Sequence, residues 1–171
     1  MRSISVAVCA ALVAAGAVGN VGMASRAWAY DASLNGTFTA TIIGDWAKTR
    51  GVFHQEAVDR STWTITTSCT TAEDCAGQVK SDQGWTAPVR MTDGLGWYAR
   101  RDIPNWETCP DGTTFPGKDY IYFYPANPET GELVQGSPVL AGREQTIGPS
   151  GACGTNLPLS IEQPIRLDRI G

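Results

Sequence analysis

Ser61-Thr62-Trp63-Thr64-Ile65-Thr66 alternates threonine with large apolar side chains. Successive side chains of an extended chain leave on opposite faces, so Trp63 and Ile65 share one face while Thr62, Thr64 and Thr66 share the other. The stretch reads as a strand with one side in a core and one in water. Thr37-Phe38-Thr39-Ala40-Thr41-Ile42 reads the same way, and residues 76–81, 85–91, 96–101, 119–125, 139–146 and 159–169 are further strand candidates. No stretch of about twelve residues keeps a helical period. Thr92-Asp93-Gly94 joins two of the candidates as a hairpin, because Asp-Gly tolerates the positive φ such turns need.

About eight short strands with Gly and Pro between them predict an all-β domain. A single antiparallel meandering barrel is favoured, since closure removes exposed strand edges, with a β-sandwich as the alternative. Residues 45–60, which contain Trp46, His54 and Glu56, read as a long excursion, as do 102–118 and 126–137. Binding commonly sits on such excursions from a rigid scaffold.

At the N-terminus Arg2 precedes an apolar run from Ile4 to Val21, and Ala27-Trp28-Ala29 places small residues at the two positions a signal peptidase reads. The expectation is a signal peptide over residues 1–29 and a secreted β domain over 30–171, extracellular or in the cell envelope. A membrane anchor over 4–24 is the competing reading, weakened by Asn20 and by Gly16, Gly19 and Gly22. No membrane span is expected after cleavage. The net charge of −4 becomes more negative once Arg2 and Arg26 leave. With Arg100-Arg101 the densest basic pair, nucleic acid is not an expected partner, because its binding rests on Lys and Arg clusters.

Cys9 leaves with the leader, and Cys69, Cys75, Cys109 and Cys153 remain. An even number in an exported chain reads as a disulfide framework with three possible connectivities. The short spacer Thr70-Thr71-Ala72-Glu73-Asp74 favours 69–75, which leaves 109–153; Thr70 and Glu73 are spaced to cap a single helical turn. Zinc, the other use for these sulfurs, wants paired Cys-x-x-Cys spacings that the chain lacks. No metal and no cofactor are expected.

Catalytic groups are scarce. Gly148-Pro149-Ser150-Gly151-Ala152-Cys153-Gly154 superficially resembles the serine loop of chymotrypsin-like proteases, yet the single histidine, His54, lies in Val52-Phe53-His54-Gln55-Glu56 without that family's surroundings. The plainer reading is a glycine-rich turn that presents Cys153 to its partner. Paired carboxylates can hydrolyse glycosides, but nothing in the sequence gathers Glu56, Asp59, Asp82 and Asp102 into one cleft. The chain is not expected to be an enzyme.

Aromatic residues are what it has: Trp46, Trp63, Trp85, Trp97 and Trp106, with Tyr120-Ile121-Tyr122-Phe123-Tyr124. On a strand Ile121 and Phe123 take one face and the three tyrosines the other. Either the tyrosines form a cross-strand ladder over a core filled by Ile121 and Phe123, or they join Trp97 or Trp106 around a concave site, offering an apolar body with a polar handle.

Several of these elements also carry a resemblance. Ser61-Thr-Trp-Thr-Ile, Cys69 with Cys75, Ser81-Asp-Gln-Gly-Trp85, Ile103-Pro-Asn-Trp-Glu-Thr-Cys-Pro-Asp-Gly-Thr113 and Gly148–Gly154 are similar to those of a family of small exported proteins of mycobacteria and related actinomycetes. The Ser-Thr-Trp strand followed by a short Cys loop more weakly resembles the extracellular sensor regions of mycobacterial receptor serine/threonine kinases. That resemblance implies a ligand- or partner-sensing β domain and carries over no catalytic residue.

Two functional classes follow. The first is a secreted, non-enzymatic binding or recognition domain for an unidentified small molecule, glycan, lipid or envelope protein, with Trp97, Trp106, Tyr120, Tyr122 and Tyr124 as candidate ligand-binding residues. It requires a cavity or an aromatic groove. The second is a structural or envelope-interaction protein without a small-molecule site, which requires an interior filled by side chains and an exposed apolar patch.

Overall fold

The alternation at Trp63 separates the inside of a closed sheet from its outside. In the computed structural model, which describes residues 31–170, Trp63 and Ile65 are buried and Thr64 and Thr66 exposed. The expected signal peptide, with Cys9 and the cleavage site after Ala29, lies outside the described residues.

The strands are β1 (Gly36–Ile42), β2 (Lys48–Thr49), β3 (Val52–Phe53), β4 (Asp59–Cys69), β5 (Cys75–Ser81), β6 (Thr86–Met91), β7 (Trp97–Thr108), β8 (Thr114–Pro125), β9 (Val139–Ile147) and β10 (Ser160–Arg169). They pair in the order β1-β4-β5-β6-β7-β8-β9-β10, and β10 returns to β1 through pairs from Phe38 with Arg169 to Ile42 with Ile165. The result is a closed, antiparallel, eight-stranded meander, and the sandwich alternative is set aside. Closure leaves no free edge in the wall. Among the described residues no helix is long and apolar enough to cross a membrane.

Inward-facing residues from every wall strand fill the barrel. Phe38, Trp63, Val89, Phe123, Leu140 and Leu167 are each almost wholly buried. Each contributes about 1.5–3 kcal/mol by leaving water. The Trp63 and Phe123 rings meet edge to face, with centroids 6.5 Å apart, and the Trp63 indole N–H donates to Ser61 Oγ at 2.9 Å.

At one end of the barrel the apolar filling gives way to charge. Arg101, Asp119, Glu144 and Thr146 continue the inward faces of β7, β8 and β9. Arg101 Nε donates to Asp119 Oδ2 at 2.6 Å and its Nη2 to Glu144 Oε1 at 3.4 Å. The Trp85 ring lies 4.0 Å from the guanidinium and meets Trp63 edge to face at 5.1 Å. Trp85 is thus a lid over this cluster, stacked on the cation. Burial, then the neighbouring Asp119, pushes the Glu144 carboxyl up to about 8.

Both disulfides join the pairs expected. Cys69 and Cys75 face each other across the β4–β5 hairpin with Cα atoms 3.9 Å apart, and Cys109 reaches Cys153 with Cα atoms 5.3 Å apart. Between Cys69 and Cys75 the expected helical turn does not form. Thr71 Oγ1 instead accepts from the Glu73 and Asp74 amides, a hydroxyl turn that suits a loop joining adjacent antiparallel strands.

The excursion expected over 102–118 is a correction of another kind. β7 and β8 run on past the barrel rim as a two-stranded ribbon, with a bulge between Ile103 and Glu107 where Asn105 takes φ 54°. The bulge aims Trp106 over Gly117, where any Cβ would meet the indole. Cys109–Cys153 then ties the ribbon's tip to the loop after β9. The 45–60 excursion likewise holds structure: a 3-10 turn at Gly44–Trp46 and the β2–β3 hairpin, turned at Arg50 and Gly51, both with positive φ. β2 pairs with the first half of β10, beyond the part that closes the barrel.

Candidate functional site

The filled interior moves any site to the outer face or the loops. On that face the register lines up Arg90 (β6), Tyr98 (β7), Tyr122 (β8), Arg143 (β9) and Pro164 (β10) as successive cross-strand partners. The next outward row on one side holds Tyr124, Ala141 and Arg166. The next on the other side holds Arg100, Tyr120, Gln145 and Glu162.

Ring contacts follow the rows. Tyr98 and Tyr122 have centroids 4.8 Å apart, Tyr122 and Tyr124 5.9 Å apart, and the Arg100 guanidinium lies 5.3 Å from the Tyr120 ring. Tyr122 sits against Gly96, where a Cβ would run into its ring. Burial, then the neighbouring Tyr98, holds the Tyr122 hydroxyl above its ordinary pKa, so it stays a hydrogen-bond donor.

Tyr122 and Tyr124 form one wall of a groove of about 610 Å³ over β8, β9 and β10. Arg143, Pro164 and Arg166 lie along it, and Asn127, Pro128 and Gly131 from the loop after β8 overhang it. That loop is held in place: Asn127 Oδ1 accepts from the Glu129 and Thr130 amides, and the Tyr124 hydroxyl donates to the Gly131 carbonyl at 2.9 Å. A second hollow, about 470 Å³, lies beyond Tyr98 and is lined by Pro88, Arg90, Thr92, Tyr98 and Arg100.

The structure therefore brings together two of the five candidate residues. Tyr122 and Tyr124 share the groove, whereas Tyr120 lines a different hollow with Asp102 and Lys118. Trp97 points the other way, paired with Phe123 and buried in the core, because β7 carries it on the same face as Ala99. Trp106 lies on the ribbon beyond the rim. Tyr98, Arg143 and Arg166 belong to the groove's surroundings and carry no sequence signal beyond their alternation with buried neighbours.

Other chemistry-bearing groups are engaged locally. Ser150 Oγ donates to the Asn156 carbonyl at 2.7 Å, within the turn that presents Cys153, and His54 Nδ1 lies 3.0 Å from Glu56 Oε1 on the surface. Asp59 accepts from the Gln83 side chain, and Asp82 from the Thr62 amide. Among the described residues no three His, Cys, Asp or Glu side chains gather as a metal site.

No protein-family model matches the chain, and no curated protein matches it either. Among solved structures the chain is similar to the sensor domain of M. tuberculosis PknI in its monomer form. The two are 15% identical, the match covers 81% of this chain and 88% of that one, and the TM-score is 0.54. The resemblance to receptor-kinase sensor regions drawn from the Ser-Thr-Trp strand and short Cys loop thus holds at the level of fold.

Proposed function

We propose that the chain is an exported, non-enzymatic recognition domain that takes its ligand in the outer groove over β8–β10, with Tyr122 and Tyr124 as the contact surface. The observation that carries this reading is the side-by-side placement of those rings along a groove whose overhanging loop Tyr124 helps to hold. Aromatic rings with hydroxyl handles suit sugars, lipids and peptides alike. Support for export comes from the leader-like residues 1–29, from two disulfides of the kind oxidising compartments preserve, and from a fold shared with a sensor domain. Membership of the small exported family of mycobacteria and related actinomycetes belongs to the same reading, as do a glycan, lipid, small molecule or envelope protein as occupant.

A second reading, an envelope-interaction protein without a small-molecule site, draws on the exposed Trp46, Val52, Phe53 and Leu157 around the β2–β3 hairpin. Amide chemical shifts separate the two. With the full chain, its cysteines oxidised, titrated with actinomycete envelope glycan and lipid extracts, shifts are expected on β8–β10 and the 126–137 loop, and Tyr122→Ala and Tyr124→Ala should each remove them. Shifts confined to the β2–β3 hairpin would replace the first reading with the second. No shift with any extract would remove the ligand site.

A further inference from the structure

Two hollows on the outer face are lined by charge of one sign. The chain is net acidic, yet no acidic residue lines either the groove beside Tyr122 and Tyr124 or the hollow beyond Tyr98. Arginines stand in both: Arg143 and Arg166 in the first, Arg90 and Arg100 in the second. Arg166 is clasped by Asp168 at 2.7 Å, but Arg90, Arg100 and Arg143 make no ion pair among the described residues. Asp93, the acid whose charge acts on Tyr122, has a carboxylate that accepts from the Gly96 and Leu95 amides of its own turn; those bonds hold it below its ordinary pKa.

We infer that the ligand of this face is an extended anionic glycan, a chain of sugar rings bearing carboxylate or phosphate groups. The inference rests on the recognition reading above and names its substrate class. Tyr98 and Tyr122 form a central platform, and Arg90 and Arg143 flank it on either side along one cross-strand row. Three strand spacings put those arginines about 14 Å apart along the ladder. That span accommodates several linked rings and is too long for one small anion to bridge. The tyrosine faces offer apolar surface to the C–H faces of sugars and their hydroxyls offer hydrogen bonds, while guanidinium groups pair bidentately with carboxylate or phosphate. The row bends with the barrel wall, so the ligand lies across the strands and spans both hollows.

The test titrates the full chain, cysteines oxidised, with tetragalacturonate, with maltotetraose as the uncharged ring control and with hexaglutamate as the anionic control without rings. Tetragalacturonate should bind with shifts on β6 to β9, and the double variant Arg90→Gln, Arg143→Gln should raise Kd by at least about tenfold with unchanged thermal unfolding. Vesicles containing phosphatidylinositol, set against phosphatidylcholine vesicles, distinguish a glycolipid headgroup from a free chain; arginine-dependent binding to the former alone supports the proposal and assigns the headgroup as source. Equal binding of hexaglutamate overturns the sugar component. Maltotetraose binding that the arginine variant does not alter overturns the anionic component but leaves the recognition groove standing. Absence of shifts on β6 to β9 with every probe overturns the proposal, and Tyr122→Ala measured on envelope extracts then decides separately whether the groove reading falls with it.

Discussion

Arg101 Nε meets Asp119 Oδ2 at 2.6 Å inside the barrel wall, with the side chain of Asp119 wholly removed from solvent and the Trp85 ring stacked over the arginine. A pair so placed stabilises only while both members are present. Replacing Arg101 with Ala leaves Asp119 as an unpaired buried acid, and its cost should be about 3–5 kcal/mol by urea denaturation. A loss below about 1 kcal/mol would show that water reaches the cluster.

The same cluster sets a pH dependence. Glu144 ordinarily titrates near 4.5 and is raised here to about 8 by burial and by Asp119. Between those values the folded chain keeps a proton that the unfolded chain has released, so stability falls as pH rises through that window and levels off above it. The slope is at most about 1.4 kcal/mol per pH unit. Thermal unfolding followed from about pH 5 to pH 9 should show the decline, and Glu144→Gln should flatten it.

Trp63→Ala should cost about 3–5 kcal/mol, through lost burial and the cavity left against Phe123 and Trp85. Thr64→Ala, on the exposed side of the same strand, should stay within about 0.5 kcal/mol. Chemical denaturation of the two variants checks the inside-outside assignment directly.

The two disulfides should differ in worth. Removing Cys109–Cys153, which spans a sequence separation of 44, should cost about 4 kcal/mol, against about 2 kcal/mol for Cys69–Cys75, with a separation of 6. Limited proteolysis of the Cys109→Ser, Cys153→Ser chain should cut first in the β7–β8 ribbon.

Gly142→Ala should destabilise by about 1–3 kcal/mol although β9 is otherwise regular. A Cβ at that position meets the Tyr122 carbonyl and the Phe123 Cα on β8, backbone atoms that cannot step aside. Calorimetry on the single variant is sufficient.

The wall strands are legible because their alternation is local. Trp63 with Ile65, and Ile121 with Phe123, announce an inner face without any knowledge of their partners. Asp93-Gly94 likewise declares its turn, and an even set of four cysteines after a leader-like N-terminus declares the staples. The ribbon is not legible, because Pro104, Gly112, Pro116 and Gly117 all read as breakers. A two-stranded ribbon has free edges on which proline forfeits no ladder bond, and the Asn105 bulge absorbs the irregularity. β2 and β3 are too short to show any period. The inward Arg101 breaks the apolar pattern of β7, and its partners Asp119 and Glu144 come from other strands. The arginine and tyrosine row is invisible for the same reason: each member sits on a different strand, and only the register assembles them.

A barrel with Phe38, Trp63, Phe123 and Leu167 buried across its interior gives a stiff backing to whatever settles on its outer face. The ladder runs unbroken around the wall and large side chains occupy the centre, so an occupant of the tyrosine groove meets a surface of fixed curvature. Under the recognition reading, such an occupant acts through what it covers and what it brings alongside, and not through a change of shape relayed through the molecule.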